Sequence, residues 1–170
     1  MGQTALVIVV PQAEPVVGEH RLQHDPAAAL GVPAHVTILY PFRAEVDAQT
    51  SLAVAGLANS TPGFTARFAT VGRFPGEVVF LAPEPRDLFK RMIDEAIATF
   101  PECPPYGGTI ADPEPHLTIG DGVDAPTADE LERLVRPGLP ITMQVDQLTL
   151  LTERDDGAWT IGRSWPLGDP

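Results

Sequence analysis

Histidine and threonine recur in this chain at one fixed spacing, first in Pro33-Ala34-His35-Val36-Thr37-Ile38 and again in Pro115-His116-Leu117-Thr118-Ile119. In an extended strand alternate side chains share a face, so His35 and Thr37 point one way while Val36 and Ile38 point the other. His116 and Thr118 stand in the same relation to Leu117 and Ile119. Each segment therefore sets an imidazole and a hydroxyl roughly 6.6 Å apart on a strand rising ~3.3 Å per residue, above an aliphatic underside suited to a core. Two such segments facing each other make a clamp for a small, polar, anionic group. With an ordinary imidazole pKa near ~6.5, one ring accepts a proton from an attacking oxygen while the other, protonated, gives one to the leaving oxygen. The threonine hydroxyls donate to non-bridging phosphate oxygens where charge develops. In-line phosphodiester chemistry needs that set of groups, and none of its steps calls for a metal. A single copy would read as a strand with two polar residues on its solvent face. Two copies at matching positions read as one site.

The elements that must carry these residues can be placed from pattern. A continuous apolar run, Leu6 to Val10, marks a strand buried on both faces. Val16 to Leu30 reads as a helix followed by a loop, with Pro26 limiting its regularity. The first His-Thr strand spans Ala34 to Tyr40 and ends at Pro41. Asp47 is placed to cap a helix over Ala48 to Ala58, whose apolar side is Leu52, Ala55 and Leu57. Phe64 to Val71 alternates as a strand and leads through Phe74-Pro75-Gly76 to a second one, Val78 to Leu81. Asp87 to Phe100 is an amphipathic helix with Leu88, Met92, Ile93 and Ala96 on one side. A loop rich in Pro and Gly, Pro101 to Pro115, delivers the second His-Thr strand. A helix over Asp129 to Val135, opened by Pro126 and Thr127, precedes strands at Ile141 to Thr152 and Trp159 to Leu167 that turn at Asp155-Asp156-Gly157. Both halves thus run strand, helix, His-Thr strand, helix, strand, with one more strand in the second. The motif falls on the third element each time, a duplication of architecture that two related lobes about a pseudo-twofold axis would turn into one cleft.

Composition narrows the ligand. The chain has 170 residues, 44% of them hydrophobic, with a formal net charge of −12. Such an acidic protein is a poor partner for long DNA or RNA, whose binding depends on neutralising many phosphates, whereas a mononucleotide or a nucleic-acid end needs only a local positive spot. Its cations are ten arginines and one lysine, Lys90. The lone cysteine, Cys103, forms no intrachain disulfide, which suits a reducing cytoplasm. Ala5 to Val10 has no basic flank and meets Pro11 at once, so it reads as a strand and not as a signal peptide; no segment has the ~18 apolar residues that span a bilayer. Leu6 stands where a myristoylation motif beginning at Gly2 wants Ser or Thr.

Weaker candidates surround the motifs. Tyr40, Phe42 and Tyr106 each admit two readings, a ring stacked on a base or a ring packed in the core. Arg73 either adds positive charge to the cleft or lies solvated on a hairpin. Gly107-Gly108 gives a flexible approach to the second motif. His20 and His24 have the i, i+4 spacing of metal ligands on a helix, with Asp25 adjacent, but no third ligand; as two exposed helical histidines they need no metal.

The segments Pro33 to Phe42 and Pro115 to Ile119 resemble those of the 2H phosphoesterase superfamily, specifically its 2′-5′ RNA ligase-like branch, which includes RNA cyclic phosphodiesterases. The likeness follows the element order over nearly the whole chain. It implies an α+β, bilobal fold over residues 1–170, with two pseudo-twofold-related lobes of antiparallel sheet, outer helices and a central cleft, the lobes dividing near residues 1–75 and 76–170. It further implies metal-independent cleavage of 2′,3′-cyclic phosphates or 2′-5′ phosphodiesters, with His35 and His116 as the acid/base pair and Thr37 and Thr118 as phosphate ligands. Which histidine is acid and which is base stays open. So do two alternatives, a cleft that only binds a nucleotide or RNA end and a reversible 2′-5′ ligase. Neither metal nor cofactor is expected; the expected partner is a nucleotide or RNA-end phosphodiester, handled by a cytoplasmic monomer without a membrane.

Overall fold

Thr4–Val9 forms the first strand, β1, buried throughout except at Val9, as suits a strand with a neighbour on each side. The computed structural model describes residues 2–169. After a tight 3-10 turn at Pro11–Ala13 come α1 (Glu14–His24) and a short second helix, α2 (Pro26–Ala29), where a loop was expected. Pro26 opens α2 and does not break it, because the first helical position needs no N–H, and Asp25 caps the helix by accepting from the Ala27 N–H at 3.0 Å. Then follow β2 (His35–Leu39), α3 (Ala48–Asn59), β3 (Phe64–Phe74), β4 (Val78–Glu84), α4 (Arg86–Thr99), β5 (Leu117–Asp121), α5 (Ala125–Val135), β6 (Ile141–Val145), β7 (Gln147–Glu153) and β8 (Trp159–Pro166).

The strands form two four-stranded sheets, ordered β2-β1-β7-β8 and β5-β4-β3-β6, with every pairing between these strands antiparallel. In each sheet the His-Thr strand lies at an edge, paired with the strand that opens its half of the chain, which is the expected duplication in spatial form. The lobes do not divide at residue 75, however. That boundary falls inside the β3–β4 hairpin, whose strands must stay together, so β3 joins the second sheet. The stretch 141–152 is likewise two strands, not one: it breaks at Asp146, and β6 completes the second sheet while β7 returns to the first. One sheet is therefore built from both ends of the chain and the other from residues 64–145.

Helices lock the two sheets together. α1 packs on β5 and α4 on β2, so the rear of each motif strand is covered by a helix from the other half of the chain. Val36, Ile38, Leu117 and Ile119 are all within 2% of full burial and belong to one core that draws on both sheets. A one-residue slip of either strand would drive its histidine and threonine into that core, so burial of these four side chains, at roughly 1.5–3 kcal/mol each, holds the register. Two helices present a different stripe from the one predicted. α3 buries Thr50, Ser51, Val54, Leu57 and Ala58, which leaves Leu52 at 74% exposure. Ser51 is accommodated inside because its Oγ accepts from the Trp165 indole N–H at 3.2 Å. In α4 Phe89 takes the inward place expected of Leu88. Among the described residues no helix is long and apolar enough to cross a membrane.

Candidate active site

β2 and β5 approach each other across the space between the sheets, and a cavity of about 870 Å³ opens there, within the usual range for small-ligand sites. His35, Thr37, His116 and Thr118 all line it. Two segments remote in sequence thus meet in one site, and each imidazole is aimed by the same backbone device. The His35 Nδ1 lies 2.7 Å from the Pro33 carbonyl oxygen and the His116 Nδ1 2.7 Å from that of Glu114. A carbonyl only accepts, so both Nδ1 atoms carry the proton and both Nε2 atoms are left to act in the cleft. The Thr37 hydroxyl sits 3.1 Å from His35 Nε2 and donates to it when the ring is neutral.

Burial favours the neutral form of both rings. Burial pulls His35 from its ordinary 6.5 down to about 4; the nearby Arg21 and His116 charges push the same way, while the Pro33 hydrogen bond and Asp25 oppose them. Burial also lowers His116, against the Glu114 hydrogen bond and the charges of Glu114 and Asp121. The cause is visible in the packing around His116, whose ring meets Phe74 edge-on at 5.0 Å and Phe80 at 5.8 Å between centroids. Phe74 and Phe80 stack at 4.1 Å, and Phe80 lies opposite Gly72 across the hairpin, where a Cβ would come within 2.5 Å of its ring. Glycine at position 72 thus makes room for the aromatic pair that buries His116. An anion entering the cleft favours the charged imidazole and would return a proton to one of the two rings.

Behind the first motif lies a fully buried ion pair. Arg21 (2% exposed) binds Asp25 (6% exposed) through Nη2 at 2.8 Å and Nε at 3.2 Å, and its Nη1 donates to the Val32 carbonyl at 3.1 Å. It fastens α1 to the segment entering β2, immediately before Pro33-Ala34-His35. Asp25 itself reaches the cavity wall.

Of the four secondary candidates two are in the site and two are not. Tyr40 and Tyr106 line the cavity, their rings edge to face at 6.3 Å, and the Tyr106 N–H donates to the Tyr40 carbonyl at 2.6 Å. Tyr106 is held at φ 51°, followed by Gly107 and Gly108 at φ 65° and 85°, a left-handed turn that is costly for tyrosine and brings its ring over the first motif strand. Burial raises the pKa of its phenol, with Thr37 opposing the shift. Phe42 belongs to the core: it is 7% exposed, packs edge-on against Phe100 at 4.9 Å and does not line the cavity. Arg73 is turned outward to α5, where Asp129 (2.7 Å) and Glu132 (3.2 Å) hold it, since its strand position faces that helix and not the cleft. His20 and His24 are half-buried on α1 outside the cavity lining, and among the described residues no group of three or more His, Cys, Asp or Glu could hold a metal.

Sequence reasoning missed Trp159, which stands edge to face with Tyr40 at 6.2 Å and extends the aromatic wall. No local pattern marks it; only the β7–β8 pairing, Glu153 opposite Trp159, brings it to the cleft. Phe74 and Phe80 were overlooked for a similar reason, Phe74 having been read only as part of a turn.

Comparison with known proteins gives the family and the fold. The profile of the 2′-5′ RNA ligase superfamily matches residues 9–157. A protein of Bacillus cereus (strain G9842), whose name assigns phosphoesterase activity by inference, is 31% identical over 156 residues, 87% of this chain and 86% of that one. Among solved structures, E. coli LigT complexed with NADP+ superimposes with a TM-score of 0.62 at 19% identity over 99% of this chain and 98% of its own. TT0787 of Thermus thermophilus gives 0.65 at 22% identity, covering 98% of each chain.

Proposed function

The chain belongs to the 2′-5′ RNA ligase superfamily, and from that premise we propose that it is a metal-independent phosphodiesterase acting on the 2′,3′-cyclic phosphate or 2′-5′ phosphodiester of nucleotides or RNA ends. The observation that carries this reading is the pair of imidazoles lining one cavity, each with Nδ1 pinned by the carbonyl two residues before it, so that both Nε2 atoms are available for proton transfer. One ring, kept neutral, takes the proton of the attacking water or hydroxyl. The other, protonated once the anionic diester has bound, delivers its proton to the leaving ribose oxygen. Thr37 and Thr118 donate to the non-bridging oxygens as charge builds in the transition state. The aromatic wall of Tyr40, Tyr106 and Trp159 offers faces and edges for a base.

Turnover of nucleoside 2′,3′-cyclic phosphates in excess EDTA tests the proposal. His35→Ala and His116→Ala are each expected to lower kcat/KM by roughly 10²- to 10⁴-fold. The double variant should lose little more than the worse single one, because the two groups act as a unit. Either single variant retaining most of the activity would rule out the two-histidine mechanism.

A further inference from the structure

The charge lining the cleft is unusual for a phosphate site. Among the described residues no arginine or lysine lines the cavity, whereas five carboxylates do: Asp25, Asp112, Glu114, Asp121 and Glu153. Three of them are matched by cations outside the lining, Asp25 by the buried Arg21 (2.8 Å), Asp112 by Lys90 (2.8 Å) and Glu114 by the half-exposed Arg86 (2.5 Å). Asp121 and Glu153 are in no ion pair among the described residues. Glu153 accepts only the Gln3 backbone N–H, at 2.9 Å. They stand on different sheets, Asp121 at the end of the strand that carries Thr118, and Glu153 opposite Trp159 on the aromatic wall.

We infer that the cleft selects ligands by charge: it accepts a phosphodiester bearing a single negative charge and rejects one that carries a further phosphate, with Asp121 and Glu153 supplying the repulsion. The inference rests on the phosphodiesterase reading and narrows its substrate class. A diester brings one charge, which a single imidazolium and two threonine hydroxyls can match. A terminal phosphate adds about −1.5 to −2 at neutral pH, and with no cation at the wall its nearest charged neighbours are carboxylates. The same charge acts on the product. When water adds to phosphorus, one new P–O bond forms and one P–O bond to ribose breaks; the water proton goes to the neutral imidazole and the ribose oxygen takes the proton of the imidazolium. The resulting monoester has a second ionisation near pH ~6, so at neutral pH the cleft is left holding a dianion that it repels. A ligand as highly charged as the NADP+ bound to LigT would meet this wall unfavourably here.

The test compares adenosine 2′,3′-cyclic phosphate with its 5′-phosphorylated counterpart in the wild type and in the double variant Asp121→Asn, Glu153→Gln, reading only the ratio of the two kcat/KM values within each protein. The wild type is expected to prefer the 5′-hydroxyl form by roughly ten- to a hundredfold, and the preference should fall to within about threefold in the variant. Added salt should compress the wild-type ratio. Equal kcat/KM values in the wild type, or a preference that survives in the variant, would overturn the inference. If neither compound is turned over, the phosphodiesterase reading fails instead. Charge selection is then decided by calorimetric binding of adenosine 3′-monophosphate against adenosine 3′,5′-bisphosphate, where tighter or equal binding of the bisphosphate overturns it.

Discussion

His35 is a neutral base in the folded protein, its pKa drawn from 6.5 to about 4 chiefly by burial. Unfolding returns it to the ordinary value, so between pH 6.5 and 4 the unfolded chain binds a proton that the folded chain refuses, and stability must rise with pH across that window. The contribution is whole above the unfolded pKa and is lost progressively as the pH falls toward the folded one. For one group with those two pKa values, a move from pH ~7.5 to pH ~4.5 costs at most roughly 3 kcal/mol, and water reaching the half-buried ring from the cleft trims this to about 2 kcal/mol. At a urea slope of ~2 kcal/mol per molar, that is a midpoint shift of about 1 M. Urea unfolding followed by circular dichroism at both pH values, on the wild type and on His35→Gln, isolates the effect, since glutamine keeps a polar side chain there but does not titrate. The wild-type midpoint should fall by about 1 M more than that of the variant. Parallel pH dependences in the two proteins would refute burial of the His35 imidazole as the source of its depressed pKa, and with it the neutral resting state from which the proposed proton transfers start.

The same packing supports further expectations. Arg21→Met strands the Asp25 carboxylate in the interior and should cost roughly 3–5 kcal/mol, a fall in Tm of about 6–20 °C by calorimetry. Adding Asp25→Asn should recover part of that loss, and a single variant as stable as wild type would mean that the pair is not the fastening it resembles. Phe42→Ala and Trp159→Ala should behave oppositely: the first loses roughly 3–5 kcal/mol of stability in urea with KM preserved, and the second leaves the melt nearly unchanged while KM rises about tenfold or more in steady-state assays. The reverse pattern would exchange their places between core and cleft.

Strand alternation made the essential part of the site readable. A His-x-Thr pair over aliphatic neighbours can bury only one face, so Val36, Ile38, Leu117 and Ile119 had to go inward and the polar pairs outward. The helix cap at Asp47 is local for the same reason: a carboxylate bonds an N–H three residues on, and no distant residue takes part. Where the reading failed, a contact distant in sequence had the deciding part. Phe42 and Tyr40 are two residues apart and chemically alike, yet one packs on Phe100 and the other on Trp159. Arg73 has nothing in its own segment to announce Asp129 and Glu132.

By itself, then, the sequence determined the two motif strands, their inward and outward faces, most of the order of elements and the expectation that two polar clusters form one site, all consequences of backbone periodicity and of the cost of burying a polar group. Tertiary structure alone decided which strands share a sheet, because hairpin pairing and the break at Asp146 send β3 and β7 to opposite lobes. It also decided that Trp159 belongs to the cleft and that the cations nearest the cavity are held by Asp25, Asp112 and Glu114. The depressed pKa of His35 and the negative lining of the cleft have the same origin. Both depend on how much water and which charges surround a group, and that is settled only when distant parts of the chain close over it.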